Sequence, residues 1–169
     1  MSPERPRTNT SVDPVGDRLV ALADDAVLGS TGYLLLKAGI HVGNEIEQAM
    51  RELGLSMRDL LVLSFVACLE GLSQQELSDR LALDPTLVVG LVDGLEERDL
   101  VRRAKDPDDR RRNMLVLTPA GERVRTDAIE AATAVQEEYL APLTNEQRTV
   151  LRSMLFDVMA PRLPWLRPA

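Results

Sequence analysis

The sequence predicts a mainly helical protein with one short β-hairpin after its fourth helical segment. Apolar residues recur at three- and four-residue spacing through most of the chain. The chain is 44% apolar but only 3% aromatic, so its core must be built from Leu, Val, Ala and Met, which suits packed helices. Five expected helix starts carry a cap signature, with Ser, Thr or Asp followed either by an acidic or amide residue three positions on or directly by Pro. At 169 residues the chain fits one compact domain, or a small domain with oligomerisation helices attached.

Residues 1–16, with Pro3, Glu4, Pro6, Arg7 and Pro14 and no apolar stretch, read as a disordered leader rather than a secretory signal. Residues 17–54 hold a short amphipathic segment, Asp17 to Leu28, and a longer helix from Thr31 to Leu53 on Leu34, Leu35, Ala38, Val42, Ile46, Ala49 and Met50, closed by Gly54. Residues 55–117 form the next unit. Ser56 and Asp59 open a helix whose run from Leu60 to Leu69 is apolar on nearly every side, which predicts burial all round. Ser73 and Glu76 open a two-turn helix with Leu77 and Leu81 facing inward. Asp84 caps a fourth helix with Pro85 at its first position, expected to bury Leu87, Val88, Leu91, Val92 and Leu95.

These last two helices, joined by Ala82 and Leu83, read as a helix-turn-helix. Two β-type runs follow, Leu100 to Ala104 and Asn113 to Leu117, separated by a charged stretch. A hairpin directly after a helix-turn-helix is a winged helix. In residues 118–169, Thr118 and Pro119 start a long helix that Pro142 terminates, and Thr144 and Gln147 cap a last one with Val150, Leu151, Met154, Leu155, Val158 and Met159. Two adjacent apolar rows exceed one packing face, so the terminal helices are expected to dimerise.

The net charge of −7 would argue against a nucleic-acid partner if it were evenly spread. It is not: seven bases against four acids between Arg98 and Arg112 give that stretch +3 and leave −10 on the rest. The lone Cys68 excludes an internal disulfide, and its apolar surroundings predict an inert core thiol rather than a peroxide sensor. No apolar run approaches the roughly 18 residues of a membrane helix, so the protein is expected to be cytoplasmic, with no membrane partner. There is no phosphate-binding or dinucleotide-binding glycine loop and no paired cysteine ligands, and the single His41 has no nucleophile beside it. No enzyme, catalytic residue, metal or cofactor is expected.

Four pieces then occur in order and at fixed intervals: Leu77-Ser-Asp-Arg-Leu81, Leu91-Val-Asp-Gly-Leu-Glu-Glu-Arg-Asp-Leu-Val101, Asp106-Pro-Asp-Asp-Arg-Arg111 and Leu117-Thr-Pro-Ala-Gly121. In these the chain resembles the multiple antibiotic resistance regulator (MarR) family over about residues 31 to 160. The resemblance implies a homodimer straddling a pseudo-palindromic operator in double-stranded DNA. Each recognition helix would lie in a major groove and each wing would reach a flanking minor groove. It also implies a repressor whose DNA binding responds to a small molecule, an aromatic acid or phenolic by family analogy, sensed between the dimerisation helices and the winged helix.

On this resemblance Arg111 is the minor-groove arginine, Asp109 orients it, and Arg110 and Arg112 contact phosphate. The recognition helix departs from the family pattern. Its outward face is expected to be Thr86, Val89, Gly90 and Asp93, with Gly94 where relatives are often basic and no long donor for guanine. Either Val89 contacts a thymine methyl, or the lobe has become a winged-helix protein-interaction module with weak or lost operator recognition. Asp99 stands where relatives usually have glycine after the helix, a turn that Asp tolerates in the left-handed conformation. Tyr33 and His41 are read either as core and solvated surface, respectively, or as lining a candidate effector crevice.

Overall fold

In the computed structural model, residues 25–106 and 112–163 are described. The leader, most of the Asp17 to Leu28 segment, and Asp109, Arg110 and Arg111 fall outside them. The elements run α1 (Thr31–Glu52), α2 (Met57–Cys68), α3 (Gln74–Leu81), α4 (Pro85–Glu97), β1 (Val101–Lys105), β2 (Asn113–Leu117), α5 (Pro119–Tyr139) and α6 (Asn145–Met159). The chain divides into a unit ending at His41 and a unit beginning at Val42, so α1 spans the division. No helix among the described residues is long and apolar enough to cross a membrane.

In the first unit, the Asp25 carboxylate accepts the backbone N–H groups of Val27 and Leu28 at 2.8 Å, forming the turn before α1. Leu34, Leu35, Leu36 and Ile40 are exposed.

The second unit has a single buried cluster. Val62, Leu63 and Val66 of α2 meet Leu77 of α3, Val88, Val92 and Leu95 of α4, Val101 of β1, Leu115 of β2, and Ala128 and Ala132 of α5. Complete burial of side chains such as Leu63, Leu77 and Leu95 contributes about 2 kcal/mol each. The helix starts follow the sequence signals. Ser56–Asp59, Ser73–Glu76 and Thr144–Gln147 form reciprocal capping boxes, while Asp84 and Thr118 cap α4 and α5 with Pro next in line.

Two expectations about burial fail. α2 is not buried all round: Leu60, Val62, Leu63 and Val66 face the core, whereas Leu61 and Cys68 are exposed. A helix against the outside of a small lobe has neighbours on one side only, and a continuous apolar run cannot reveal which side. Leu87, expected in the core, is 53% exposed. Core-facing Val88, Val92 and Leu95 cluster on one side of α4, and at about 100° per residue Leu87 falls on its flank.

Two backbone devices fix the winged helix. Between α3 and α4, Ala82 adopts φ +50°, the Leu83 N–H donates to the Ser78 carbonyl, and the buried Ser78 hydroxyl donates to the Leu83 carbonyl at 2.7 Å. This left-handed alanine costs about 1 kcal/mol, offset by the packing on either side. After α4, Asp99 adopts φ +54°, with Asp99 N–H bonded to Glu96 O and Leu100 N–H to Leu95 O. These paired bonds make a Schellman cap on an aspartate, which takes the left-handed conformation that the resemblance implied for this turn.

The hairpin pairs Val101 with Leu117 and continues to Lys105 with Asn113. β2 is held from its other edge as well, because the Leu115 N–H donates to the Leu72 carbonyl at 2.8 Å. The Leu117-Thr-Pro-Ala-Gly121 motif then has a physical explanation. Thr118 Oγ1 donates to the Asp99 carbonyl at 2.5 Å and accepts from Gly121 N–H at 2.9 Å, bringing the first turn of α5 onto the end of α4. A Cβ at Gly121 would lie 1.9 Å from the Leu100 carbonyl oxygen.

Gly121→Ala should therefore destabilise the protein by about 3 kcal/mol or more, because the clash is with backbone and no rotamer relieves it. Urea unfolding of the variant checks this, and a midpoint within error of the parent would show that the approach is not tight.

Candidate nucleic-acid interface

The exposed face of α4 carries Thr86, Leu87, Val89, Gly90 and Asp93. Thr86 sits in the first turn, where its backbone N–H donates to the Asp84 carboxylate at 2.8 Å. That bond, the largest cause, holds the Asp84 carboxyl below the usual carboxylate range. Val89 is 43% exposed. A Cβ added at Gly90 or Gly94 would meet nothing within 4 Å, so packing within the lobe does not demand glycine at either place.

Asp93 does not stand free to meet bases. Arg103, on β1, donates from Nη2 to Asp93 Oδ1 at 2.5 Å, from Nη1 to Glu96 Oε2, and from Nε to Gln74 Oε1 of α3 at 3.0 Å. Its backbone N–H also reaches Glu96 Oε1 at 3.1 Å. Burial of the guanidinium pulls its pKa down, but the bonds to Asp93 and Glu96 outweigh this and raise it. Asp93 thus joins the recognition helix to the wing. The sequence hid this because Arg103 counts only as one base in a basic stretch and its partners lie seven to twenty-nine residues away.

Arg112, expected at phosphate, is engaged within the protein as well: its Nη2 donates to the Gly71 carbonyl at 2.9 Å and the Glu76 carboxylate at 2.5 Å, with Asp106 3.8 Å from Nη1. Glu76 is already the acidic half of the α3 capping box, accepting the Ser73 N–H and hydroxyl at 2.8 and 2.7 Å. The Ser73 bonds first, and then Arg112, hold the Glu76 carboxyl below its usual range. An arginine at the base of the hairpin, beside a helix start that needs a carboxylate, finds that carboxylate before it finds solvent.

Three of the seven bases between Arg98 and Arg112 are therefore engaged internally, Arg98 only loosely at 3.9 Å from Asp59. Arg102 and Lys105 are exposed and pair with no other described residue. Arg110 and Arg111 carry the remaining charge. Tyr33 is half-buried with the Lys37 ammonium 5.6 Å above its ring, and His41 is exposed. Cys68, expected in the core, is exposed and lines a pocket of ≈ 500 Å³ with Leu61, Ser64, Phe65, Leu69, Arg80 and Phe156. It faces away from the packed side of α2.

Relatives share this architecture. The MarR family profile matches residues 53–112. The HTH-type transcriptional repressor Rv2887 of Mycobacterium tuberculosis is 29% identical over 136 residues, 80% of this chain and 96% of that protein. Its crystal structure in complex with DNA superposes with a TM-score of 0.66 at 26% identity, covering 76% of this chain and 97% of that one. CouR from Rhodococcus jostii RHA1, crystallised with p-coumaroyl-CoA, superposes with a TM-score of 0.73 at 33% identity, covering 83% and 97%.

Glu76→Gln tests the ties at the start of α3. A carboxyl whose folded pKa is depressed stabilises above its unfolded pKa and loses that contribution as pH falls through the folded value. The parent should lose stability through the carboxylate range, and the variant should show a shallower acid limb after losing about 1 kcal/mol or less at neutral pH, since the side chain is 46% exposed. Thermal melts across pH check this, and superimposable acid limbs would contradict it.

The helix-turn-helix, the antiparallel wing tied to it and the matches across nearly the whole of these relatives lead to one identification: the chain belongs to the MarR family of winged helix-turn-helix transcriptional regulators.

Proposed function

We propose that the protein is a cytoplasmic homodimer that represses transcription from a pseudo-palindromic operator and is released by a small aromatic acid or phenolic, with no catalysis of its own. The observation that carries the DNA reading is the wing. A rigid hairpin, clamped to α3 and α4 through Arg103 and Arg112, brackets in sequence the segment that holds Arg110 and Arg111. Arg111 enters the minor groove, Asp109 orients it, and Arg110, Arg102 and Lys105 meet phosphate, while Thr86 and the start of α4 face the major groove. The DNA complex of Rv2887 supports DNA as the partner.

The dimer is supported by apolar surface that the second unit does not cover. α6 has no buried residue, and Val150, Met154 and Val158, four residues apart on one face, are 50 to 60% exposed. Such a stripe calls for a second copy. The effector class is supported by p-coumaroyl-CoA bound to CouR, the thioester of a phenolic acid. Tyr33 and His41 remain its proposed lining. Leu87 and Val89 keep one rival in play, a protein-interaction module built on the same lobe.

A gel shift with the protein's own upstream DNA across a salt series decides between them. The expected result is a saturable complex that weakens steeply with salt, and Arg111→Ala should lower the log–log salt slope by about 2, roughly one phosphate-equivalent per subunit. No complex at low salt from a stable dimer would favour the interaction module.

A further inference from the structure

We infer that the recognition helix selects thymine: its discriminating contacts are those of Leu87 and Val89 with thymine 5-methyl groups in the major groove. The inference rests on the DNA-binding reading above and names the bases that reading leaves open.

Hydrogen-bonded readout is nearly absent from this helix. Between Pro85 and Glu97 there is no Arg, Lys, Asn or Gln, so no side chain can bond guanine or adenine in a bidentate way. The acids that could accept from cytosine, Asp93 and Glu96, are both already bonded to Arg103. Glu97 lies in the last turn, whereas recognition helices meet base edges with their N-terminal residues. Thr86 bonds either base pair through its hydroxyl and discriminates little.

What the N-terminal turns offer instead is apolar. Leu87 and Val89 are 53% and 43% exposed. At about 100° per residue they flank the outward ridge of Thr86 and Gly90, one on each side. That ridge dips at Gly90, which has no side chain and where the fold leaves open space, and Asp93 beyond it is drawn to Arg103. With the ridge low, the helix settles deeply enough for both flanks to reach the groove floor. The one apolar feature there is the thymine methyl, present on T·A and A·T pairs and missing from G·C and C·G.

The test uses the upstream DNA amplified twice, once with dTTP and once with dUTP, which removes every methyl and leaves base pairing intact. Wild-type protein should bind the uracil form more weakly, by about four-fold for each methyl buried and about fifteen-fold if each half-site presents one. Leu87→Ala/Val89→Ala, at exposed positions and checked by melting and dimer size, should bind thymine DNA weakly and treat the two forms nearly alike. Equal wild-type binding to both DNAs overturns the inference while leaving the DNA reading standing. Discrimination that survives in the double variant also overturns it, because the methyls would then act through DNA shape. Failure to bind thymine DNA at low salt overturns both readings.

Discussion

A single guanidinium, that of Arg103, ties the wing to both helices of the helix-turn-helix. A two-stranded hairpin is marginal by itself, and this one borrows its order from three sources: Arg103 on α4 and α3, Leu115 on the Leu72 carbonyl, and Arg112 on the start of α3. Among the described residues, Arg103 is the side chain of the wing that hydrogen-bonds the recognition helix. Its side chain is 24% exposed while Asp93 and Glu96 are 51% and 39% exposed, so solvent reduces the Coulomb attraction and the geometry matters more than the charge. Two carboxylates and an amide held by one planar fork fix both the distance and the rotation of α4 relative to β1.

That clamp also decides what the DNA-facing surface looks like. Asp93 and Glu96 would repel phosphate if they stood alone. Bonded to Arg103, the two carboxylates keep a single net negative charge between them, and the attractive charge falls to Arg102 and Lys105, with Arg110 and Arg111 in the sequence between the strands. Among the described residues the basic stretch therefore holds two populations: Arg103 and Arg112, which build the wing, and Arg102 and Lys105, which are exposed. On the same helix Asp93 and Glu96 are held by Arg103, no base is present, and Leu87 and Val89 stand exposed.

How much of this was legible depended on how local each signal is. The helix starts were readable because a cap is a contact between residues three apart: Ser56 with Asp59, Ser73 with Glu76, Thr144 with Gln147. The left-handed turn at Asp99 was readable from its position after a helix. Burial around α2 and the exposure of Leu87 and Cys68 were not, because periodicity reports that a face is apolar and not whether anything covers it. The engagements of Arg103 and Arg112 were hidden for a related reason. Whether a surface arginine meets phosphate or its own protein depends on carboxylates that folding brings up from α3 and α4, and Arg112 bonds Glu76 across thirty-six positions. Gly121 was visible as part of a motif, but the reason for it, the carbonyl of Leu100 in the space a methyl would need, appears only in three dimensions.

Whether Arg103 acts through Asp93 and Glu96 or as a phosphate contact of its own is measured directly by a double-mutant cycle in DNA affinity. Arg103→Met should weaken binding by exposing two carboxylates to the backbone, and adding Asp93→Asn and Glu96→Gln should restore most of the loss, with a coupling of about 1 to 2 kcal/mol. Additive losses, with no recovery when the acids are neutralised, would contradict action through the acids.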